Sequence, residues 1–519
     1  MPFLIGGGAF VSPMLRMAVR SSLIVILLSV LGTAQTAEQK TARYMDSVRN
    51  KPPLLLAFLH NMPKGGDLHN HLGGAVYAED LIDLAAADNF CVDRTTSRLM
   101  GAPCDSCETY KPKPSVRCAY GDHILYNQIV DAWSMRNWRP GDESGHDHFF
   151  ATFDKFGLVS GNHAAEVMAS VINRAAREHV QYIEFMHTAD GDTAIKLGMK
   201  LEWDQDLASM RDKLLASGLK EIAAATSKTL AEDEGRARTE MKCGTASAEP
   251  GCGVNVRFLY QVLRGLPQEA VFAQILLGFE LASSDPRFVG LNLVMPEDWY
   301  VPLHDFNEHM AMLDYLHSVY PKVHITLHAG ELAMGLVKPE DLAFHIRASV
   351  ERGHAERIGH GVDIMLEEDP IRLMKEMAAR NVLVEINLTS NDQILGVSGD
   401  EHPLPIYMKF GVPVAISTDD QGVARSDMTH EYLRAVEGYR LAYTELKRMT
   451  RQSIEHSFLP GESLWMSTKD SFRPVAACAG DAAIAEKPSP ACAKFLAANE
   501  RAREQWKLEA AFATFEKKF

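Results

Sequence analysis

From about residue 60 onward the chain repeats one theme, a short β-rich apolar run followed by a longer stretch with helical spacing. Eight such runs can be read: "GDLHNHL" (66–72), "VQYIEFMH" (180–187), "VNVRFLYQV" (254–262), "FVGLNLV" (288–294), "VHITLHAGE" (323–331), "ERIGHG" (356–361), "VLVEINLTSN" (382–391) and "VPVAISTDD" (412–420). Segments such as "PEDLAFHIRASVERG" (339–353) and "PIRLMKEMAARN" (370–381) lie between them, which is the alternation of parallel β/α units. Eight units close into a (β/α)8 barrel of the α/β class. An open doubly wound sheet is the alternative, but no Gly-x-Gly-x-x-Gly follows the first run.

Three stretches break the repeat. Residues 89–148 hold four cysteines, Trp133, Trp138 and little periodicity, and read as a disulfide-stapled insertion after the first strand. Residues 188–253 have a helical middle and a Cys243/Cys252 loop, and the tail beyond Trp465 reads as an irregular, disulfide-closed segment leading into one last helix from Cys492. The expected organisation is a leader over 1–34, the barrel over 35–465 with its insertion at 89–148, and a C-terminal extension over 466–519.

The leader follows from its order: Arg16 and Arg20, the apolar run "SLIVILLSVL", then the small residues "GTAQTA", as in a cleavable secretory signal. A mainly apolar run of ten residues is short against the roughly 20 that a spanning helix needs. Export to the periplasm or the extracellular space would suit the eight cysteines, since disulfides persist in oxidising compartments. Cys243 with Cys252 and Cys478 with Cys492 are placed to bridge locally, whereas Cys91, Cys104, Cys107 and Cys118 allow three pairings. A net charge of −15, with no basic stripe interleaved with aromatics, argues against nucleic acid as a partner.

Polar residues collect at the C-terminal ends of the strands, the rim on which barrel enzymes build their sites. His69 and His71 stand two apart, sharing one face of the first strand. His328 and Glu331 end the fifth, His360 the sixth, and Asp419 and Asp420 the eighth. Three imidazoles and a carboxylate, His69, His71, His328 and Asp419, can ligate one catalytic Zn2+ and leave room for water, whose pKa zinc lowers towards about 7. Glu331 is then placed to donate a proton to substrate, and His360 to take or hold the proton of the water.

These motifs resemble those of the adenosine deaminases of the amidohydrolase superfamily. "KGGDLHNHLGG", "HITLHAGE", "RIGHG" and "ISTDD" match the first, fifth, sixth and eighth strand motifs in order, and the similarity runs from Lys64 to Ser457. The leader, the cysteine-bearing insertion and "LKRMTRQSIEHSF" are similar to the secreted, growth-factor-type branch. The resemblance implies a zinc enzyme that converts adenosine and 2′-deoxyadenosine to the inosine product plus ammonia. Glu331 would protonate the purine N1, His360 would position and deprotonate the attacking water, and Asp420 would hydrogen-bond N7. The expected cofactor is one Zn2+ per chain. The expected partners are a small purine nucleoside and a second copy of the chain as a homodimer, with no nucleic acid and no stable membrane insertion after leader removal.

Two positions depart from the family pattern. Gly73 stands where many members carry an acid for the ribose 5′-hydroxyl, and Met295 of "NLVM" stands where a glycine lets its backbone N–H approach the purine N3. A permissive sugar side follows, with tolerance for 5′-modified adenosines and with insertion residues replacing the lost contact. Adenine or AMP are the alternative 6-aminopurines. "PCDSC" (103–107) and "HAE" (354–356) are half-motifs of cytidine-type zinc deaminases in reversed order, and Cys104 and Cys107 are expected in disulfides instead. A binuclear metallohydrolase would want a bridging lysine or carboxylate at the end of the fourth strand, which here reads "NLVMPED", with no lysine. A non-catalytic binding protein on the same barrel would have let the seven site residues decay.

Overall fold

The computed structural model describes residues 35–141, 143–468, 471–481 and 487–519; the expected leader lies outside them. Among the described residues, eight parallel strands form one sheet in sequential order, wrapped by helices: β1 (Gly65–His71), β2 (Val180–His187), β3 (Asn255–Leu263), β4 (Phe288–Val294), β5 (His324–Ala329), β6 (Arg357–His360), β7 (Leu383–Ile386) and β8 (Val414–Ile416). A parallel bridge between Asn70 and Asp419 joins the two edges, with Asp419 N–H donating to the His69 carbonyl at 2.9 Å. This is the expected (β/α)8 barrel.

Local chemistry fixes β1 before the site begins. The buried Lys64 ammonium donates to the carbonyls of Leu59, Met62 and Glu178 at 2.7, 3.1 and 2.8 Å, so a cation without a carboxylate contact is still satisfied. Gly65 follows at φ +66, where a β-carbon would lie 2.6 Å from the Thr450 carbonyl oxygen; only glycine fits. Inside the barrel the fully buried Arg357 guanidinium bridges Glu184 and Glu385, each at 2.6 Å, and lies 3.9 Å from the Phe458 ring centroid. One buried cation thus locks β2, β6 and β7 together.

Two expected elements differ. The run at 382–391 is a strand only to Ile386; Leu388–Leu395 is a helix. Its β-branched start is overridden by tertiary contact, because the buried Glu431 carboxylate accepts the Thr389 N–H at 3.0 Å at the helix N-terminus. The last helix is two, Pro490–Ala498 and Glu500–Glu516, broken at Asn499, whose side-chain oxygen accepts the Glu462 N–H at 2.8 Å.

All eight cysteines are paired: Cys91–Cys104, Cys107–Cys118, Cys243–Cys252 and Cys478–Cys492. The two late pairs are the expected local ones, and the first four resolve as two neighbouring loops. After them the helix Gly145–Ser160 starts inside the expected insertion, runs past residue 148 and caps the C-terminal rim. Among the described residues no helix is long and apolar enough to cross a membrane.

Candidate active site

β1 carries His69 and His71 to the rim on one face, as the two-residue period requires. β5 brings His328, β6 ends on His360, and β8 leads to Asp419. His360 at φ +68 and Asp419 at φ +58 are both left-handed, a conformation non-glycine residues adopt at a cost of order 1–3 kcal/mol that clusters at functional sites. The turns bring both side chains back over the barrel mouth: Asp419 Oδ1 lies 3.3 Å from Nε2 of His69 and of His71, and Asp419 Oδ2 lies 3.9 Å from His360 Nε2.

Each imidazole is held from behind. His69 Nδ1 faces Glu385 Oε2 at 2.7 Å, His71 Nδ1 faces Gln261 Oε1 at 2.9 Å, and His328 Nδ1 faces Asn292 Oδ1 at 2.9 Å. All three partners are acceptors, so each Nδ1 carries the proton and each Nε2 presents a lone pair. Yet the Nε2 atoms of His71 and His328 stand only 3.2 Å apart, and the buried Nε2 of His69 has no hydrogen-bond partner. Lone pairs converging on a carboxylate repel one another unless a cation sits among them. These donors fit a metal ion: His69, His328, His360 and Asp419 present ligand atoms within 4.8 Å of one another, as do His71, Asp419 and Asp420, and Glu385, Gln261 and Asn292 orient three of the imidazoles.

Electrostatics tell the same story. Burial and the neighbouring imidazoles hold His328 well below the ordinary histidine range; burial lowers His360 to about 3 and also lowers His71. Among these four imidazoles only His69 is raised, to about 10, because Asp419 and Glu385 outweigh its burial; their negative field favours a cation at its Nε2, a proton or a metal ion. Asp419 is held far below the carboxylate range by its histidines despite burial. Glu331 and Asp420 go the other way: burial, then the charge of Asp419, pushes both well up. The Glu331 loop is pinned from below by Glu297, whose carboxylate accepts the N–H groups of Gly330 and Glu331 at 3.2 and 2.8 Å.

A cavity of about 390 Å³ opens over this set. Glu331, His360, Asp419 and Asp420 line its floor, and Phe149, Phe150 and Phe153 of the cap helix its roof. Asp420 Oδ1 is buried there without a partner. Gly73 lines the cavity with open space where a side chain would project, whereas Gly74 packs directly on Asp420. Met295 takes φ +94, a glycine-like conformation, and its side chain folds against Gly265, whose N–H donates to Met295 Sδ at 3.2 Å. The residues expected from the sequence at this rim all meet here.

Several residues that buttress the site were not among those expected. Glu385, Gln261 and Asn292 are polar residues inside otherwise apolar strands, a legible signal; Asn391, 2.9 Å from His360 Nδ1, and His402, 3.0 Å behind it, carry none. The insertion's cysteine loops are absent from the described cavity lining, which comes from Phe149, Phe150, Phe153 and Asp154 just beyond them. Among the described residues none of 89–148 lines the cavity, so the expected sugar-side contact from the insertion is not seen; Arg98 reaches only the exposed Asp154 beside it, at 3.6 Å.

Residues 224–464 match the family model for adenosine deaminase. The chain is similar to the adenosine deaminase of Pectobacterium atrosepticum, at 37% identity over 137 residues, covering 26% of this chain and 37% of that protein. It is similar to the adenosine deaminase of Enterococcus faecalis at 28% identity, covering 44% of this chain and 63% of that protein. The matches thus span less than two thirds of these relatives' lengths. Among solved structures, a zinc-bound amidohydrolase from B. ambifaria aligns with a TM-score of 0.50 at 17% identity, over 83% of this chain and 91% of that one. Arabidopsis ADAL complexed with IMP aligns with a TM-score of 0.50 at 20% identity, over 77% and 93%. Both are likenesses of fold. Within the (β/α)8 barrel, the segment 224–464 thus matches the adenosine deaminase family.

Proposed function

We propose that this protein is a zinc-dependent hydrolase that deaminates adenosine and 2′-deoxyadenosine, releasing ammonia. The observation that carries the reading is the convergence of three Nε2 lone pairs and Asp419 beside a buried, high-pKa Glu331. His69, His71, His328 and Asp419 would hold one zinc ion, which when bound supplies the Lewis acidity that activates water at neutral pH. The zinc-bound amidohydrolase of similar fold supports that choice of metal.

The chain's own groups do the rest. Glu331, kept protonated by burial, donates its carboxyl proton to the ring nitrogen N1, making C6 electrophilic. Asp420, also raised, hydrogen-bonds N7 and sets the ring plane. His360 positions the attacking water. The three phenylalanines of the cap helix roof the base and exclude bulk water. Open space at Gly73 leaves the sugar side permissive and favours 5′-modified adenosines as further substrates.

The four disulfides and the N-terminal sequence order support export, and with the cysteine-bearing insertion they support membership of the secreted growth-factor-type branch. No nucleic acid is expected as a partner, and the assembly is proposed as a homodimer. A substrate panel of adenosine, 2′-deoxyadenosine, 5′-deoxyadenosine, adenine and guanosine tests the activity. Turnover of the first three is expected. Turnover of adenine alone would move the protein to another substrate class, and turnover of none would overturn the enzyme reading.

A further inference from the structure

We infer that Leu404, His402 and Asn391 form a hydrogen-bond chain that fixes His360 as its Nε2–H tautomer, so that His360 meets the attacking water as a hydrogen-bond donor and not as its base. The chain starts from a group whose direction is unambiguous. The Leu404 backbone N–H donates to His402 Nδ1 at 3.1 Å, which demands a lone pair on that nitrogen. His402 therefore carries its proton on Nε2, which donates to Asn391 Oδ1 at 3.0 Å. With its oxygen committed, the Asn391 amide turns its NH2 to His360, whose Nδ1 lies 2.9 Å away and must accept. The remaining proton of a neutral His360 is then on Nε2, the atom that faces the cavity without a hydrogen-bond partner, 3.9 Å from Asp419 Oδ2.

His402, Asn391 and His360 are all buried, so water does not compete for these bonds. Glu331 Oε1, 3.5 Å from His360 Nδ1, lies on the same side of the ring as Asn391. A base would need its lone pair where this relay places a proton. Asn391 and His402 are positioning residues: they touch neither substrate nor ligand set, and they act by choosing which nitrogen of His360 is protonated. The tautomer stands independently of the deaminase reading; only its catalytic consequence rests on that reading.

The direct test is a long-range 1H–15N correlation spectrum of the metal-loaded full-length protein labelled with 15N-histidine, with His360 assigned by its loss in His360→Gln. The expected result is a neutral ring protonated at Nε2; a ring protonated at Nδ1 overturns the inference, whatever reaction the protein catalyses. Asn391→Asp places an acceptor against Nδ1 and is expected to move the proton there. With metal content unchanged, kcat should fall about 100-fold and KM should change by less than about threefold, because the oriented donor acts on the chemical step. His402→Gln, whose amide can accept from Leu404 and donate to Asn391, should keep the wild-type tautomer, and His402→Phe should not. If Asn391→Asp does not fold, the wild-type spectrum and the two His402 variants decide. An Nδ1-protonated His360 in Asn391→Asp with undiminished kcat would overturn the catalytic part alone.

Discussion

The Asp420 carboxylate occupies the space into which a side chain at Gly74 would grow: a β-carbon built on Gly74 would lie 1.8 Å from Asp420 Oδ1, whereas one built on Gly73 meets nothing within 4 Å. Two adjacent glycines at the end of β1 therefore have opposite roles. Gly74→Ala is expected to displace Asp420 and lower kcat/KM for adenosine about 100-fold, the scale of a small misplacement near reacting atoms. Gly73→Ala is expected to leave it within about threefold, since the added methyl only fills open space. Equal losses in the two variants would contradict this reading of the rim.

Glu331→Gln removes the transferable proton while keeping the shape of the side chain. Turnover is expected to drop about 10²–10⁴-fold, the usual contribution of a positioned acid. Metal content, read by elemental analysis of the purified variant, should match the wild type. Loss of the metal with the activity would place Glu331 among the ligands instead.

The cap helix is tied to the segment after β4 by His146, whose Nε2 lies 2.9 Å from Asp298 Oδ1 and whose Nδ1 lies 3.0 Å from Asp147 Oδ1. Burial pulls this histidine down, but the bonds to Asp298 and Asp147 win and its pKa rises above the ordinary 6.5. A raised folded-state pKa contributes stability that is fully present below 6.5 and is lost as pH climbs through the raised value. His146→Gln should therefore lower Tm relative to wild type at about pH 6 and much less at about pH 9. A deficit that grew with pH would reverse the assignment.

The cavity lining holds Asp154 near its mouth, and the guanidinium beside it, that of Arg98, is engaged with Asp154. Among the described lining residues there is no lysine or arginine to receive a phosphate. AMP is expected to be a poorer substrate than adenosine by about 100-fold, because juxtaposed like charges are costly at a binding surface. Asp154→Asn should narrow that gap by releasing Arg98. Comparable kcat/KM values for AMP and adenosine in the wild type would refute an anion-excluding mouth.

Much of this site was legible because strand ends carry chemistry in pairs: His69 with His71, His328 with Glu331, Asp419 with Asp420. Side-chain alternation and the barrel rule were enough to bring them to one rim. The second layer was not legible. Asn391 sits on a helix whose first residues look like a continuing strand, where a buried Glu431 capping the N-terminus decides the matter, and His402 follows the turn beyond that helix. The cap helix also escaped, since its phenylalanines have ordinary core spacing and only the folded chain turns three of them onto the cavity. Met295 was legible as a departure; that it holds a glycine-like φ of +94 was not.

The most direct measurement of the central claim is ammonia release from adenosine by the purified full-length protein, before and after metal removal. The metal-replete protein should release ammonia, the chelated protein should not, and one equivalent of Zn2+ per chain should restore the rate; His69→Ala should stay inactive and bind less metal. No ammonia from the zinc-replete protein, or an undiminished rate after complete removal of the metal, would contradict it.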